Sequence, residues 1–360
     1  MKILHVEAGK HLYGGARQVQ YIAEGLAGRG VETVLACPVG SEMARQAPAG
    51  ARVVAIRMGG DGDVGMLFRL AGLIRREKPD LVHLHSRRGA DTWGALAARL
   101  CGVPCVLSRR VDNPESRWAV ALKYRLYDHV ITISEGIRQV LLEEGLAPEK
   151  VSCVRSAVDP TPFLAPVDHE AFRAEFRLPQ DALVIGVVAQ MIPRKGHRYL
   201  FAALPALVEH YPELHVLVFG QGPLLAELRA DVVARHLEGV VHFAGFRHDL
   251  ARWIGGIDML VHPAEMEGLG VSLLQAAAAG VPVITSRAGG LPEAVLDGVT
   301  GLLCPPGDVA ALGDAIDRLA ADPLLRHQYG DAGRDRILAE FSIDRMVEGN
   351  LAVYRQVLGQ

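Results

Sequence analysis

Pro263-Ala264-Glu265-Met266-Glu267-Gly268-Leu269-Gly270-Val271-Ser272-Leu273-Leu274-Gln275-Ala276-Ala277-Ala278-Ala279-Gly280-Val281-Pro282-Val283-Ile284 joins an acidic loop, a glycine pair, an alanine-rich helix and a buried strand. Gly268 and Gly270 let the backbone approach a ligand closely. A helix opening near Gly270 presents unpaired N–H groups and the positive end of its dipole to a diphosphate. Glu267 stands beside that anion site as an acceptor for sugar hydroxyls. Two glycines and a helix that merely join two strands would explain a shorter match, but the length and order of these elements favour a ligand site.

On both sides of this stretch, short β-rich runs bounded by glycine or proline alternate with longer helical patterns. Strands are predicted at Ile3 to Val6, Thr33 to Ala36, Val53 to Ile56, Leu81 to Leu84, Cys105 to Leu107 and Val130 to Ile133. A second series runs through Leu183 to Val188, His215 to Phe219, Val240 to Phe243, Met259 to Val261 and Pro282 to Ile284. Such alternation reads as α/β, with two parallel sheets covered by helices. Asp159-Pro160-Thr161-Pro162-Phe163-Leu164-Ala165-Pro166 is too proline-dense to continue a helix or a central strand, and marks the linker. Asp308 to Ala321, Pro323 to Glu340 and Ser342 to Leu358 read as helices, with Ser342 and Asp344 as start signals for the last.

The 360 residues suffice for two domains with a core each. With 38 basic and 41 acidic residues the net charge is -3, so no global field attracts nucleic acid and any anion site is local. Five cysteines, an odd number set mostly in apolar runs, argue against a disulfide framework and for a reducing cytoplasm. No run reaches the roughly 18 apolar residues of a spanning helix, and Met1 to Glu7 is too short for a signal peptide. A soluble or peripheral chain is expected.

Several loops after predicted strands carry polar chemistry. Gly14-Gly15-Ala16-Arg17-Gln18 opens a helix after the first strand, without the spacing of the full dinucleotide fingerprint. In Val82-His83-Leu84-His85-Ser86, alternation puts His83 and His85 on one face with His85 nearer the carboxyl end, where clefts form. A hydrogen-bonded core histidine is an equal reading. A His-x-His metal pair lacks evident carboxylate or cysteine companions, so no metal is expected. Ala189-Gln190-Met191-Ile192-Pro193-Arg194-Lys195-Gly196-His197 sets two adjacent cations before a helix. Gly289-Gly290-Leu291-Pro292-Glu293 follows the next strand, with Glu293 read as a cap. Arg109, Arg110, Arg117, Lys123 and Arg125 surround Trp118, Tyr124 and Tyr127, a basic segment read as a solvated helix face or as a dock for an anionic acceptor or membrane surface.

These motifs together resemble the retaining glycosyltransferases of family 4. In that family a glutamate and a second one eight positions later bracket the donor, followed by a small-residue helix ending in Gly-x-Pro-Val; here the positions hold Glu267 and Gln275. The resemblance covers essentially the whole chain and implies the GT-B architecture, two Rossmann-like domains facing across a cleft. Residues 1–160 would bind the acceptor, 161–341 the nucleotide sugar, and 342–360 would form a helix crossing back to the first domain. It implies catalytic roles for His85, Lys195 and Glu267, with Lys195 and Arg194 stabilising the departing diphosphate. Gly15, Gln190, Gly222, Phe246, Gly268, Leu269, Gly270, Val271 and Gln275 would join Arg194 around the donor. Gly14 and Arg17 would meet the acceptor.

The chain departs from the family pattern at Gln190, commonly arginine, and at Gln275. A charge-assisted hydrogen bond is worth about 1.5–3 kcal/mol against about 0.5–1.5 for a neutral one, so each change weakens donor binding about tenfold rather than abolishing it. The resemblance thus implies a metal-independent transferase without a cofactor, taking a nucleoside diphosphate sugar as substrate and a glycan or glycolipid as acceptor. No nucleic-acid partner is expected. Lipopolysaccharide or another surface polysaccharide is the pathway by family habit, in the cytoplasm with a peripheral contact at the inner face of the cell membrane. A nucleotide-sugar hydrolase or epimerase, or a noncatalytic sugar-nucleotide sensor, are the alternatives.

Overall fold

In the computed structural model, which describes residues 1–12, 14–85, 89–111 and 113–360, the chain divides into two units by its contacts. Ser86, the end of the His-x-His motif, lies outside the described residues. The first unit comprises Met1–Ala157 and Ile343–Gln360, the second Val158–Ser342.

In the first unit, the strands β1 (Lys2–Val6), β2 (Glu32–Pro38), β3 (Arg52–Ile56), β4 (Leu81–Leu84), β5 (Cys105–Arg109), β6 (His129–Thr132) and β7 (Val151–Cys153) form one parallel sheet in the order β3-β2-β1-β4-β5-β6-β7. The central strands are buried on both faces, as parallel strands covered by crossover helices must be. Strand order reverses between β1 and β4, which opens a crevice at their carboxyl ends. One face of the sheet (Leu4, Val6, Val82, Leu84, Leu107) packs with Leu70, Ala95 and Ala98 of the helices Gly65–Glu77 and Ala90–Cys101. The other face (Ile3, Leu81, Val106, Ile131) meets Ile22 and Leu26 of the helix Gly14–Ala27 and Val347, Leu351 and Tyr354 of the helix Ile343–Leu358. The first and last helices touch closely: a Cβ on Gly25 would meet Val347 Cγ1 at 3.2 Å and its Cγ2 closer still.

In the second unit, β8 (Leu183–Val188), β9 (Leu214–Phe219), β10 (Val241–Gly245), β11 (Met259–His262), β12 (Val283–Ser286) and β13 (Gly301–Cys304) follow the order β10-β9-β8-β11-β12-β13, again parallel. Here the reversal lies between β8 and β11. Sequence pattern located eleven of the strands within one or two residues, but β7 and β13 were missed. β7 is three residues long, and β13 opens with Gly301; such short edge strands carry too few side chains for a period-2 signal.

Candidate active site

In the second unit the candidate side chains Lys195 and Glu267 gather at the carboxyl ends of β8 and β11. The loop after β8 ends in the turn Pro193–Lys195, and Gly196, at φ +71°, then opens the helix His197–His210. A side chain at Gly196 would run into the carbonyl oxygen of Pro263, so this loop lies directly against the one after β11. Arg194 O accepts a hydrogen bond from Glu265 N at 2.9 Å, which fixes the two loops in register.

Across this junction Lys195 Nζ pairs with Glu267 Oε2. His262 Nε2, from the last residue of β11, lies 3.3 Å from the same oxygen, and Gly268 N donates to Glu267 Oε1 at 3.0 Å. Burial alone would raise the Glu267 carboxyl. The hydrogen bond from His262 and the charge of Lys195 outweigh it and hold the group far below the usual carboxylate range. Burial keeps His262 neutral, with Glu267 partly offsetting the effect. Because a carboxylate only accepts, His262 carries its proton on Nε2, and its Nδ1 has no partner among the described residues.

The remaining positions expected around the donor share this edge of the sheet. Gly268 and Leu269 are buried, and Gly270, at φ +82°, precedes the helix Val271–Ala278, whose fifth residue is the half-buried Gln275. Gly290 N donates to Glu267 O at 3.1 Å, tying the Gly-Gly element to the same loop, with Gly290 rather than Glu293 at the start of the helix Leu291–Ala294. Gln190 is exposed, and the loop holding it is bound to that of Gly222 through Met191 N to Gln221 O at 3.0 Å. Phe246 is exposed just beyond β10.

His197 escaped the sequence reading. It is buried with neither ring nitrogen partnered among the described residues, and burial, followed by the nearby His262 and Lys195, lowers its pKa to about 4. Between about pH 4 and pH 6.5 the unfolded chain therefore binds a proton that the native chain refuses, so stability rises with pH across that window and levels off above it. The contribution of His197 is on the order of 3 kcal/mol. Urea unfolding of the second unit is expected to show this slope, to which buried His262 adds, and His197→Leu is expected to reduce it by about one proton's share; an unchanged slope in the variant would assign the effect elsewhere.

The first unit carries a separate pocket of about 250 Å³, at the carboxyl ends of β1, β4 and β5. His85, Gly15, Glu7, Asp91, Arg110 and Lys123 line it. Glu7 is buried and accepts from Gly9 N at 2.7 Å; Asp91 lies 3.7 Å from Lys123. Arg110 Nη2 approaches His85 Nδ1 at 3.5 Å, and His85 Nε2 lies 2.9 Å from His5 Nδ1. Burial, reinforced by its histidine neighbours and Arg110, holds His85 well below its ordinary pKa and hence neutral. Gly14 and Arg17 do not line this pocket; Arg17 instead donates to Gln20 Oε1 at 2.8 Å along its own helix.

The basic segment divides in two. Arg109, Tyr124 and Tyr127 are buried, with Arg109 held by Glu115, Tyr124 and the carbonyls of Val111 and Asn113. Arg117, Trp118, Leu122 and Arg125 are exposed. The second set is a solvated face; of the first, Arg109 and Tyr124 wall the pocket, while Tyr127 lies in the core behind it. Glu7, His5 and His262 had no distinguishing sequence context, and only strand pairing and loop packing bring them to the sites.

Residues 168–336 match the family of glycosyl transferases group 1, and residues 13–161 match glycosyltransferase family 4. The chain is 32% identical over 314 residues to the 2-deoxystreptamine glucosyltransferase of Streptomyces kanamyceticus, covering 80% of each protein. It is 24% identical over 302 residues to the UDP-Gal:alpha-D-GlcNAc-diphosphoundecaprenol alpha-1,3-galactosyltransferase of Escherichia coli, spanning 79% of this chain and 78% of that one. The crystal structure of HepE from Anabaena in complex with UDP matches it with a TM-score of 0.87 at 19% identity, over 99% of this chain and 100% of the other. Two Rossmann-like sheets of this topology and these matches have one reading: the chain is a glycosyltransferase of the GT-B fold and belongs to the group 1 and family 4 enzymes.

Proposed function

We propose that this enzyme moves a sugar, with retention of anomeric configuration, from a nucleoside diphosphate sugar to a hydroxyl of a glycan or glycolipid. The pathway would be lipopolysaccharide or other surface polysaccharide synthesis at the inner face of the cell membrane. The observation that carries the reading is the largely buried pair of Lys195 and Glu267, held by His262 and Gly268 N at the strand reversal of the second unit. There Lys195 and Arg194 supply fixed positive charge where a diphosphate gains negative charge on leaving, a task that needs no metal ion. Glu267 accepts from sugar hydroxyls. The acceptor hydroxyl attacks the anomeric carbon from the side the diphosphate leaves, the departing phosphate oxygen takes its proton, and no protein nucleophile intervenes.

The pocket of the first unit suits a monosaccharide-sized part of the acceptor. Among the described residues no helix is long and apolar enough to cross a membrane. Trp118 and Leu122, 75% and 56% exposed between Arg117 and Arg125, support peripheral contact with anionic lipid instead.

Calorimetric titration with UDP-, GDP- and ADP-sugars tests the donor site. One donor is expected to bind, more weakly in Lys195→Ala and Glu267→Ala, and the anomeric configuration of the product by NMR is expected to match the donor. Binding indifferent to both substitutions would refute the site, and an inverted product would refute the mechanism.

A further inference from the structure

His5, His83 and His85 come together because β1 pairs with β4 in a register that sets His5 beside His83, and alternation returns His85 to the same face. All three are buried, and one nitrogen of each lies within 4.8 Å of the others. His5 Nδ1 and His85 Nε2 are 2.9 Å apart. Two nitrogens on one tetrahedral zinc ion are separated by about 3.3 Å, so a shift of a few tenths of an ångström admits an ion between them. His83 is set between two hydroxyls, Tyr354 at 2.6 Å from Nδ1 and Ser108 at 2.9 Å from Nε2. Whichever nitrogen it turns to the ion, the other keeps a hydroxyl partner of the kind that orients metal-bound imidazoles.

The hydrogen bonds also leave a loose end. Arg110 only donates, so His85 Nδ1 accepts from it, His85 Nε2–H donates to His5 Nδ1, and the proton of His5 rests on Nε2. That nitrogen is buried with no partner among the described residues. An unpaired buried polar atom in a cluster of three imidazoles is ill suited to a purely structural hydrogen-bond network. His85 lines the pocket, which provides the route of entry.

We infer that His5, His83 and His85 form a binding site for a single divalent transition-metal ion of the zinc or cobalt class, and that its occupancy inhibits transfer by withdrawing His85 from the pocket. The inhibitory half rests on the proposed transfer reaction and on the role in it that the family resemblance implies for His85; the binding half does not. To bind through Nε2, His85 moves its proton to Nδ1, which then faces the guanidinium of Arg110, so Arg110 opposes the ion and must swing away from His85.

The test is titration of the full-length, tag-free protein with Co2+, followed by visible absorption. One equivalent is expected to produce the strong d–d bands of a four-coordinate ion, and Zn2+ is expected to displace it. His5→Leu is expected to weaken binding at least 10²-fold, more than loss of an outer partner does. Arg110→Gln, whose amide oxygen accepts from Nδ1–H, is expected to tighten it. Zinc X-ray absorption on the unmodified chain serves if a variant fails to fold, and should show three imidazole nitrogens at about 2.0–2.1 Å. Weak octahedral spectra, binding unaltered by His5→Leu, no tightening in Arg110→Gln or fewer imidazole ligands would each overturn the site. Zn2+ bound at this site without slowing an active preparation would overturn the inhibition alone. A preparation that binds the ion but transfers no sugar contradicts the proposed function, not the site.

Discussion

Lys195→Ala is expected to lower kcat by about 10²–10³-fold, and Glu267→Ala by a similar factor, the usual loss when one preorganised electrostatic contact to a developing charge is removed. The two side chains form one ion pair, Lys195 buried and Glu267 mostly so, and neither substitution is electrostatically simple. Glu267→Ala leaves the Lys195 ammonium buried beside His262 and His197 with no ion-pair partner among the described residues. Lys195→Ala leaves the Glu267 carboxylate, among the described residues, with His262 and Gly268 N. Breaking a buried pair from one side costs about 3–5 kcal/mol of stability, whereas removing both partners relieves the uncompensated charge. The double variant is therefore expected to melt above either single variant, yet to be no less active than the weaker one, because the pair acts as a unit. Turnover at a temperature where all variants are folded separates the two effects. Near-normal kcat in both single variants would remove these residues from the mechanism.

Deletion of residues 343–360 is expected to unfold the first unit. The last helix buries Met346, Val347, Leu351, Val353 and Tyr354 against β1, β4, β5 and the first helix. At roughly 2 kcal/mol per side chain, these represent about 10 kcal/mol of apolar burial, an upper estimate. A whole domain is stable by only about 5–15 kcal/mol, so the remaining core cannot absorb the loss. Limited proteolysis of the truncated chain should cleave within residues 1–157 while sparing 158–342. A protected first unit would show that the helix is a peripheral addition. Tyr354→Phe is a milder probe of the same helix: it keeps the packing but removes the hydroxyl from His83.

Much of the architecture was legible because parallel strands and their covering helices write their period locally. Leu81 to Leu84 and Leu183 to Val188 were delimited to the residue by apolar runs alone. Pro323–Glu340 was delimited in the same way, by its proline start and helical spacing. Lys195 and Glu267 were singled out through the family resemblance of their two loops, which lie against each other in the structure. The strand edges were not, and neither was the fate of the basic segment, where equal-looking residues split between buried Arg109 and exposed Arg117.

The sequence by itself determined the alternation of strands and helices, the two sheets, the helix start at Gly270 and the charged loop that follows β8. Tertiary structure alone decided which residues meet. The register of β1 on β4 put His5 beside His83, residues 78 apart. Packing of the last helix brought Tyr354 to His83 across 271 residues, and closure of one loop over another joined Lys195 to Glu267 across 72. Periodicity is a property of neighbours along the chain and survives in a string of letters. Register and loop contact are set by packing whole elements against each other, a free energy to which no single segment holds the key.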